Sequence, residues 1–138
     1  MVRKETITVK TKGFTDVIDI TPELKNKIQN TDISSGIVNI FCPGSTGGLT
    51  TIEFEHNLVK DIKSELENLF PYNKNYFHHQ TWHDDNGSSH VRSALIGTSF
   101  TVPFYNNQLQ LGTWQQIVFI DFDTRPRTRE LILTIIGE

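Results

Sequence analysis

The 138-residue sequence contains a single cysteine, Cys42, and no long apolar run. One cysteine cannot form a disulfide within the chain, which excludes the small folds that disulfides hold together and is typical of a reducing compartment. No stretch approaches the roughly 18 apolar residues that a membrane-spanning helix needs, and residues 1–13 lack the apolar core of a signal peptide. We therefore expect a soluble, cytoplasmic protein with no membrane partner.

The chain also lacks a surplus of basic residues. Thirteen Lys and Arg residues stand against sixteen Asp and Glu residues, which gives a formal net charge of −3. Domains that bind nucleic acid usually carry a positive excess, so no nucleic-acid partner is expected. With 36% apolar and 21% charged residues, the composition is that of a folded globular protein. The length fits one domain, residues 1–138, with its own core.

Apolar periodicity predicts groups of strands separated by helices. Strands are expected at residues 5–10, 14–20, 35–42, 49–54, 91–97, 99–104, 108–111, 116–123 and 130–136. Helices are expected at 21–30, where Thr21 can cap and Pro22 suits the first turn, and at 57–70, before Pro71. This order predicts an α+β fold with largely antiparallel β-sheets and about two main helices.

The densest polar segment, residues 76–92, contains four of the five histidines. Neutral imidazole is a common ligand of Zn²⁺, and three such ligands with a water molecule would make an open catalytic site. The spacing matches no established zinc motif, because HExxH and cysteine pairs are both absent. The same composition is also typical of a solvated polar loop. Metal binding, acid–base catalysis and a solvated loop are therefore three alternative interpretations.

Two neighbouring segments carry other polar groups. The loop at 43–48 has three glycines and two hydroxyls, so its backbone N–H groups could approach a phosphate closely. It lacks the Lys of a Walker loop, and as a pattern it is more typical of a structural turn. Glu53 and Glu55 would face the same side of a strand, where a carboxylate pair can support proton transfer. Such pairs are more often a solvated face.

Three arginines alternate near the C-terminal end, at Arg125, Arg127 and Arg129. Guanidinium groups bind phosphate and carboxylate bidentately, so this alternation could form an anion site or a subunit contact. The alternative is a turn with ordinary surface ion pairs. Trp114, which lies between Gly112 and Gln115 in the next segment upstream, is expected to pack at the edge of the core.

The sequence Gly-Thr-Trp-Gln at 112–115, followed by Asp123 and the arginines, resembles the YjbQ-like family. The resemblance extends over essentially the whole chain and includes Cys42-Pro43, Tyr76, His78, Asn86-Gly87, His90, Gly97 and Pro103. This family, long uncharacterised, is now often described as secondary thiamine-phosphate synthase. It implies an α+β fold, a homotrimer and a polar cleft with histidines.

The resemblance implies a thiamine-phosphate synthase-like enzyme of low activity that acts on small phosphorylated metabolites. The catalytic candidates that it implies are His78, His90 and Glu53. The candidate ligands of a divalent metal, Zn or Mg, are His78, His90 and His83. The candidate phosphate-binding residues are Ser45, Thr46, Gly47, Arg92, Arg125 and Arg127. Two alternatives are a different metal-assisted hydrolase or transferase and a non-catalytic trimer that binds an anionic metabolite.

Two positions depart from the family pattern. Many members have histidine where this chain has Gly44, and many have histidine where it has Ser88. A metal site copied from those members would here have to use His78 and His90, helped by Glu53 or His83.

Overall fold

Two antiparallel β-sheets form the frame of the protein in a computed structural model that describes residues 1–138. In chain order the elements are β1 (Val2–Thr11), β2 (Asp16–Asp19), α1 (Thr21–Gln29), β3 (Gly36–Phe41), β4 (Gly47–Ile52), α2 (His56–Leu69), α3 (His79–Trp82), α4 (Gly87–Ile96), β5 (Ser99–Tyr105), β6 (Gln108–Leu109), β7 (Gln116–Asp121) and β8 (Arg127–Gly137). The predicted α+β class is confirmed. No helix has the length and apolar character needed to cross a membrane.

The larger sheet has the strand order β1-β8-β3-β5-β6, and the smaller sheet has the order β2-β7-β4. β1 pairs with β8 over a long ladder that runs from Val2 opposite Ile136 to Thr11 opposite Arg127. The main core lies between the two sheets and α1, and it includes Leu24, Val38, Phe119 and Leu133. This arrangement buries one face of each sheet.

The second face of the smaller sheet is covered by α2 and α4. Val118 and Ile120 of β7 belong to this second apolar cluster, with Val59 of α2 and Ile96 of α4 packed against it. Ile117, the neighbour of Val118, faces the main core. Because β7 is covered on both faces, its sequence is a continuous apolar run instead of an alternating one.

The prediction of a strand at residues 91–97 is wrong, because residues 91–96 belong to α4 and Gly97 caps the end of this helix. The side of this helix that faces inward is small or polar, and it buries Ser88, Ser89, Arg92 and Ser93. Ser93 fixes the helix to β4, since its hydroxyl donates to the carbonyl of Gly47 at 2.6 Å. An apolar stripe at helical spacing, which normally reveals such a helix in a sequence, is therefore missing.

Two turns depend on residues with positive φ. The strand predicted at residues 14–20 is shorter than expected, because Phe14 and Thr15 have φ values of 52° and 65° and β2 begins only at Asp16. The amide of Phe14 donates to the carbonyl of Asp123 at 2.7 Å, which ties this turn to the end of β7. Asn106 and its neighbour Asn107 also have positive φ, in the turn that joins β5 to β6.

Trp114 does not pack at the core edge, and this prediction is wrong: its side chain is 74% exposed. Gln115 anchors the segment in its place. Its side-chain oxygen accepts from the amide of Gly112, and its side-chain nitrogen donates to the hydroxyl of Thr51, both at 3.1 Å. The indole can point outward because the turn is held by these two hydrogen bonds.

Candidate functional site: an arginine-lined cleft

A cleft of about 490 Å³ opens where the loop after β3, the segment before α4 and the β7–β8 connection meet. None of its thirteen lining residues is hydrophobic. Its ionised side chains are Arg125, Arg127, Arg129, Asp84, Asp85 and Asp123. Loop residues 43–46, together with His90 of α4, also line it. The cleft is therefore suited to a small, strongly polar ligand.

Arg129 is the most firmly held cation of the cleft. Its Nε and Nη2 donate to the two carboxylate oxygens of Asp121, each at 2.9 Å, and Nη2 also donates to the hydroxyl of Thr46 at 2.7 Å. The side chains of Arg129 and Asp121 are only 8% and 0% exposed. Nη1 is the one nitrogen of this guanidinium without a hydrogen bond within the chain. It provides fixed N–H donors at the wall of the cleft.

The environment keeps this ion pair charged. Burial raises the pKa of Asp121, but the hydrogen bonds from Arg129 and Thr11 outweigh burial and hold the pKa below its usual value. The hydrogen bond to Asp121 raises the pKa of Arg129. A Cβ atom at Gly44 would lie 3.2 Å from Nη1 of Arg129. A larger residue at position 44 would crowd this nitrogen, so glycine leaves space for the unpaired side of the guanidinium.

The other two arginines are less constrained. Nη1 of Arg127 donates to Asp123 at 2.5 Å, while its Nε and Nη2 have no partner. Arg125 is exposed and makes neither an ion pair nor a side-chain hydrogen bond. The cleft thus carries one rigid, one partly held and one free guanidinium, all able to donate to an anion.

Two histidines lie together beside the arginines. His90 extends from α4 into the cleft, and the ring of His78 lies against it with 4.5 Å between centroids. Burial and the proximity of His78 lower the pKa of His90. Nε2 of His78 lies 3.9 Å from a carboxylate oxygen of Asp84. His90 is therefore neutral near pH 7 and can accept a proton.

The predicted site residues fall into two groups. The cleft brings together Ser45, Thr46, His90, Arg125 and Arg127, with His78 in contact with His90. Residues that do not line it are Gly47, which lies in β4, Glu53, which is exposed beyond the end of β4, and His83, which is exposed at the end of α3.

Arg92 also lies outside the cleft, and its environment differs from the one predicted. Its side chain is 1% exposed. Nε donates to Ser88 and Nη1 to Thr15, at 2.9 and 2.7 Å. Nη2 donates to Glu67 and to the carbonyl of Phe70, both at 2.8 Å. Because every nitrogen is occupied by the chain itself, Arg92 joins α2, α4 and the turn before β2 and has no free edge for a phosphate.

The side chains of the chain do not fit the three-ligand metal site suggested by the resemblance. No group of three or more His, Cys, Asp or Glu side chains is arranged to hold a metal ion. His78 and His90 form a pair, but His83 lies at the end of α3 in an exposed, left-handed conformation with φ of 56°. We therefore assign no metal-dependent step to these residues.

The sequence shows the alternating arginines and the acids before them, but it predicts surface ion pairs at most, whereas Asp121 and Arg129 form a buried one. Asp121 stands at the end of the apolar run of β7, where a carboxylate is unexpected in a strand covered on both faces. This position was the available signal, because a buried carboxylate requires a cation. Its partner Arg129 lies on β8, in the other sheet, and only the tertiary fold brings the two together.

Comparison with known proteins gives a consistent result along the whole chain. The model of a family described as UPF0047 protein YjbQ-like matches residues 5–138. A UPF0047 protein of Archaeoglobus fulgidus is 38% identical over 127 residues, covering 92% of this chain and 96% of that one. The UPF0047 protein YugU of Bacillus subtilis is 34% identical, covering 96% and 98%.

Two solved structures with related descriptions also resemble this chain over nearly its full length. The crystal structure of a YbjQ-like protein of unknown function from Sulfolobus solfataricus matches with a TM-score of 0.93 at 27% identity, covering 100% of this chain and 99% of that one. An uncharacterised conserved protein of the yjbq/upf0047 family from Clostridium acetobutylicum matches with a TM-score of 0.86 at 32% identity, covering 96% and 99%.

Proposed function

Because this chain belongs to the UPF0047 family of YjbQ-like proteins, we propose that its arginine-lined cleft binds a small phosphorylated metabolite and that His78 and His90 act there as acid–base groups. The observation that carries the proposal is Arg129. Its guanidinium is fixed by a buried carboxylate and keeps Nη1 free at the cleft. A preorganised donor of this kind binds an anion with little cost for ordering the side chain.

The charges and the histidine pair of the cleft support a role in transfer or release of a phosphate group. A departing phosphate or pyrophosphate gains negative charge, which Arg125, Arg127 and the free edge of Arg129 would neutralise. Neutral His90 would accept a proton from an attacking group, and the ring of His78 lies against it. The thiamine-phosphate synthase-like transfer releases pyrophosphate and joins two phosphorylated substrates, so it is the first reaction to assay.

A second candidate is a binding protein without catalysis. Glu53 and His83, two of the groups that the resemblance assigns to chemistry, lie outside the cleft. Only the pair of His78 and His90 is then left for proton transfer. Under this alternative the protein binds the anionic metabolite and releases it unchanged.

Binding is tested by titration calorimetry with inorganic phosphate and pyrophosphate. Arg125→Gln removes an exposed, unpaired cation, so we expect pyrophosphate to bind about threefold to tenfold more weakly with no change in melting temperature. Arg3→Gln, which breaks an exposed ion pair with Asp32 outside the cleft, is the matched control and should keep the wild-type Kd. If the wild-type protein binds neither anion at millimolar concentration, the proposal is wrong.

Catalysis is tested by product formation from phosphorylated substrates, with EDTA and with added Mg²⁺ or Zn²⁺. His90→Ala should abolish turnover by a folded protein while pyrophosphate still binds. His56→Ala, at the exposed start of α2, should keep full activity. A folded, fully active His90→Ala variant would contradict the catalytic role, and binding without turnover in the wild type would favour the second candidate.

We also propose the homotrimer that the family resemblance implies. Two surfaces support self-association: α2 buries no residue although Leu58, Ile62 and Leu69 share one side, and Trp114 is largely exposed. Light scattering at micromolar concentration should give three times the monomer mass. A monomeric mass would contradict this proposal without affecting the phosphate site.

A further inference from the structure

The cleft balances its cations with carboxylates instead of presenting a purely positive surface. Three arginines and three aspartates line it. Asp121, in contact with the lining, already neutralises Arg129, and Asp123 pairs with Arg127. These four carboxylates outnumber the three guanidinium groups, so a phosphate dianion alone would enter a site without net positive charge.

Two of the carboxylates have no arginine partner. Asp84 has Nε2 of His78 at 3.9 Å and the side-chain amide of Asn86, which donates to its carboxylate at 3.2 Å. Asp85 accepts a hydrogen bond from the hydroxyl of Thr124 at 2.9 Å. Thr124 directly precedes Arg125, so this contact places Asp85 next to the backbone of the free arginine, and Asp84 is the chain neighbour of Asp85. The cleft thus joins an acidic part and a basic part over the span of one small molecule.

The residues that line the cleft also restrict the chemical character of the uncharged part of the ligand. Without a hydrophobic lining residue, the cleft offers little contact to an aromatic ring or a long hydrocarbon chain. An independent sign of a ligand is Arg129, whose side chain is more than nine-tenths buried and whose Nη1 has no partner. Its free donors fix the position of the anionic end.

We propose that the natural ligand is a small zwitterion, a phosphate monoester that also carries a protonated amine. The phosphate binds Arg125, Arg127 and Nη1 of Arg129, and the ammonium group lies between Asp84 and Asp85. The ammonium supplies the positive charge that the arginines have lost to their own aspartates. This inference rests on the proposed phosphate site and narrows the chemistry of its ligand.

The test compares 2-aminoethyl phosphate with propyl phosphate, which replaces the ammonium with a methyl group of similar size. Calorimetric titrations at pH 7.5 with EDTA should give roughly threefold to tenfold tighter binding of the amine, as expected for one or two partly exposed ion pairs. The Asp84→Asn/Asp85→Asn variant should bind both esters equally. The Asp61→Asn control, at an exposed carboxylate on α2 outside the cleft, should keep the preference.

The outcomes separate the two proposals. Equal binding of both esters by the wild type would overturn the zwitterion and leave the phosphate site intact. Failure of both esters and of inorganic phosphate to bind would overturn both proposals. A preference that survives in Asp84→Asn/Asp85→Asn would overturn the placement of the amine. If Mg²⁺ makes propyl phosphate bind as tightly as 2-aminoethyl phosphate, Asp84 and Asp85 bind a cation that accompanies the phosphate, and the inference is wrong.

Discussion

Replacing Asp121 with asparagine should destabilise the fold by about 3–5 kcal/mol, because it leaves the guanidinium of Arg129 buried without a counter-charge. The carboxylate is fully buried and accepts two hydrogen bonds from Arg129. It also accepts from the hydroxyl of Thr11 at 2.7 Å and from the amide of Asp123 at 3.0 Å. Asparagine keeps one acceptor oxygen and turns an NH₂ group toward these donors.

For a chain of this size, 1 kcal/mol corresponds to roughly 3–4 °C, so the melting temperature should fall by about 10–20 °C. Thermal and urea unfolding followed by circular dichroism measure the change at a fixed protein concentration. Asp61→Asn, at an exposed carboxylate on α2, is the control and should change stability by less than about 0.5 kcal/mol.

A double-mutant cycle separates the ion pair from simple loss of a carboxylate. Arg129→Met alone leaves Asp121 as an unpaired buried charge, whereas the double variant Asp121→Asn/Arg129→Met contains neither charge. The double variant should therefore be less destabilised than the sum of the two single variants. A loss below about 1 kcal/mol in Asp121→Asn, or additive losses in the cycle, would refute the reasoning that this pair is a buried, mutually dependent unit.

Two further predictions concern residues near the cleft. Arg92→Met should lower the melting temperature by about 10 °C, because it deprives Glu67 and the carbonyl of Phe70 of their donor. The folded variant should still bind phosphate with the wild-type Kd. Weaker binding would place Arg92 in the site. The free energy of unfolding should also fall as the pH drops from 7 to 5. Burial and the proximity of His78 hold the pKa of His90 below its ordinary 6.5. The unfolded chain therefore binds a proton at this histidine at a higher pH than the folded chain does. His90→Asn should reduce this slope in urea unfolding, and an unchanged slope would contradict the assignment.

Local sequence patterns predicted the elements whose buried side is apolar. The strand at 116–123 and the helix at 57–70 are confirmed as β7 and α2, because the first is a short continuous apolar run and the second repeats its apolar residues at helical spacing. α4 was missed because it buries serines and Arg92, whose burial depends on partners in α2 and in the turn before β2. Periodicity does not reveal a helix whose buried side is hydrogen-bonded.

The site was predictable only where its residues are close in sequence. The alternation of Arg127 and Arg129 in β8 places both at the cleft, as a strand dictates. The partner of Arg129 is Asp121, on a strand of the other sheet, and no local pattern connects the two. Glu53 was expected to act in the cleft, but β4 ends at Ile52 and the chain there turns toward α2.

Because β1 pairs only with β8, it can join the sheet only after the last strand has been synthesised. The amide of Arg127 donates to the hydroxyl of Thr11 across a sequence separation of 116 residues, and β1 has no other strand neighbour. At about 5–20 residues per second on the ribosome, β1 waits on the order of ten seconds for its partner. During that time a ten-residue strand with open backbone groups is exposed. Such non-local closure predicts slow folding and a nascent chain that depends on protection of its first strand.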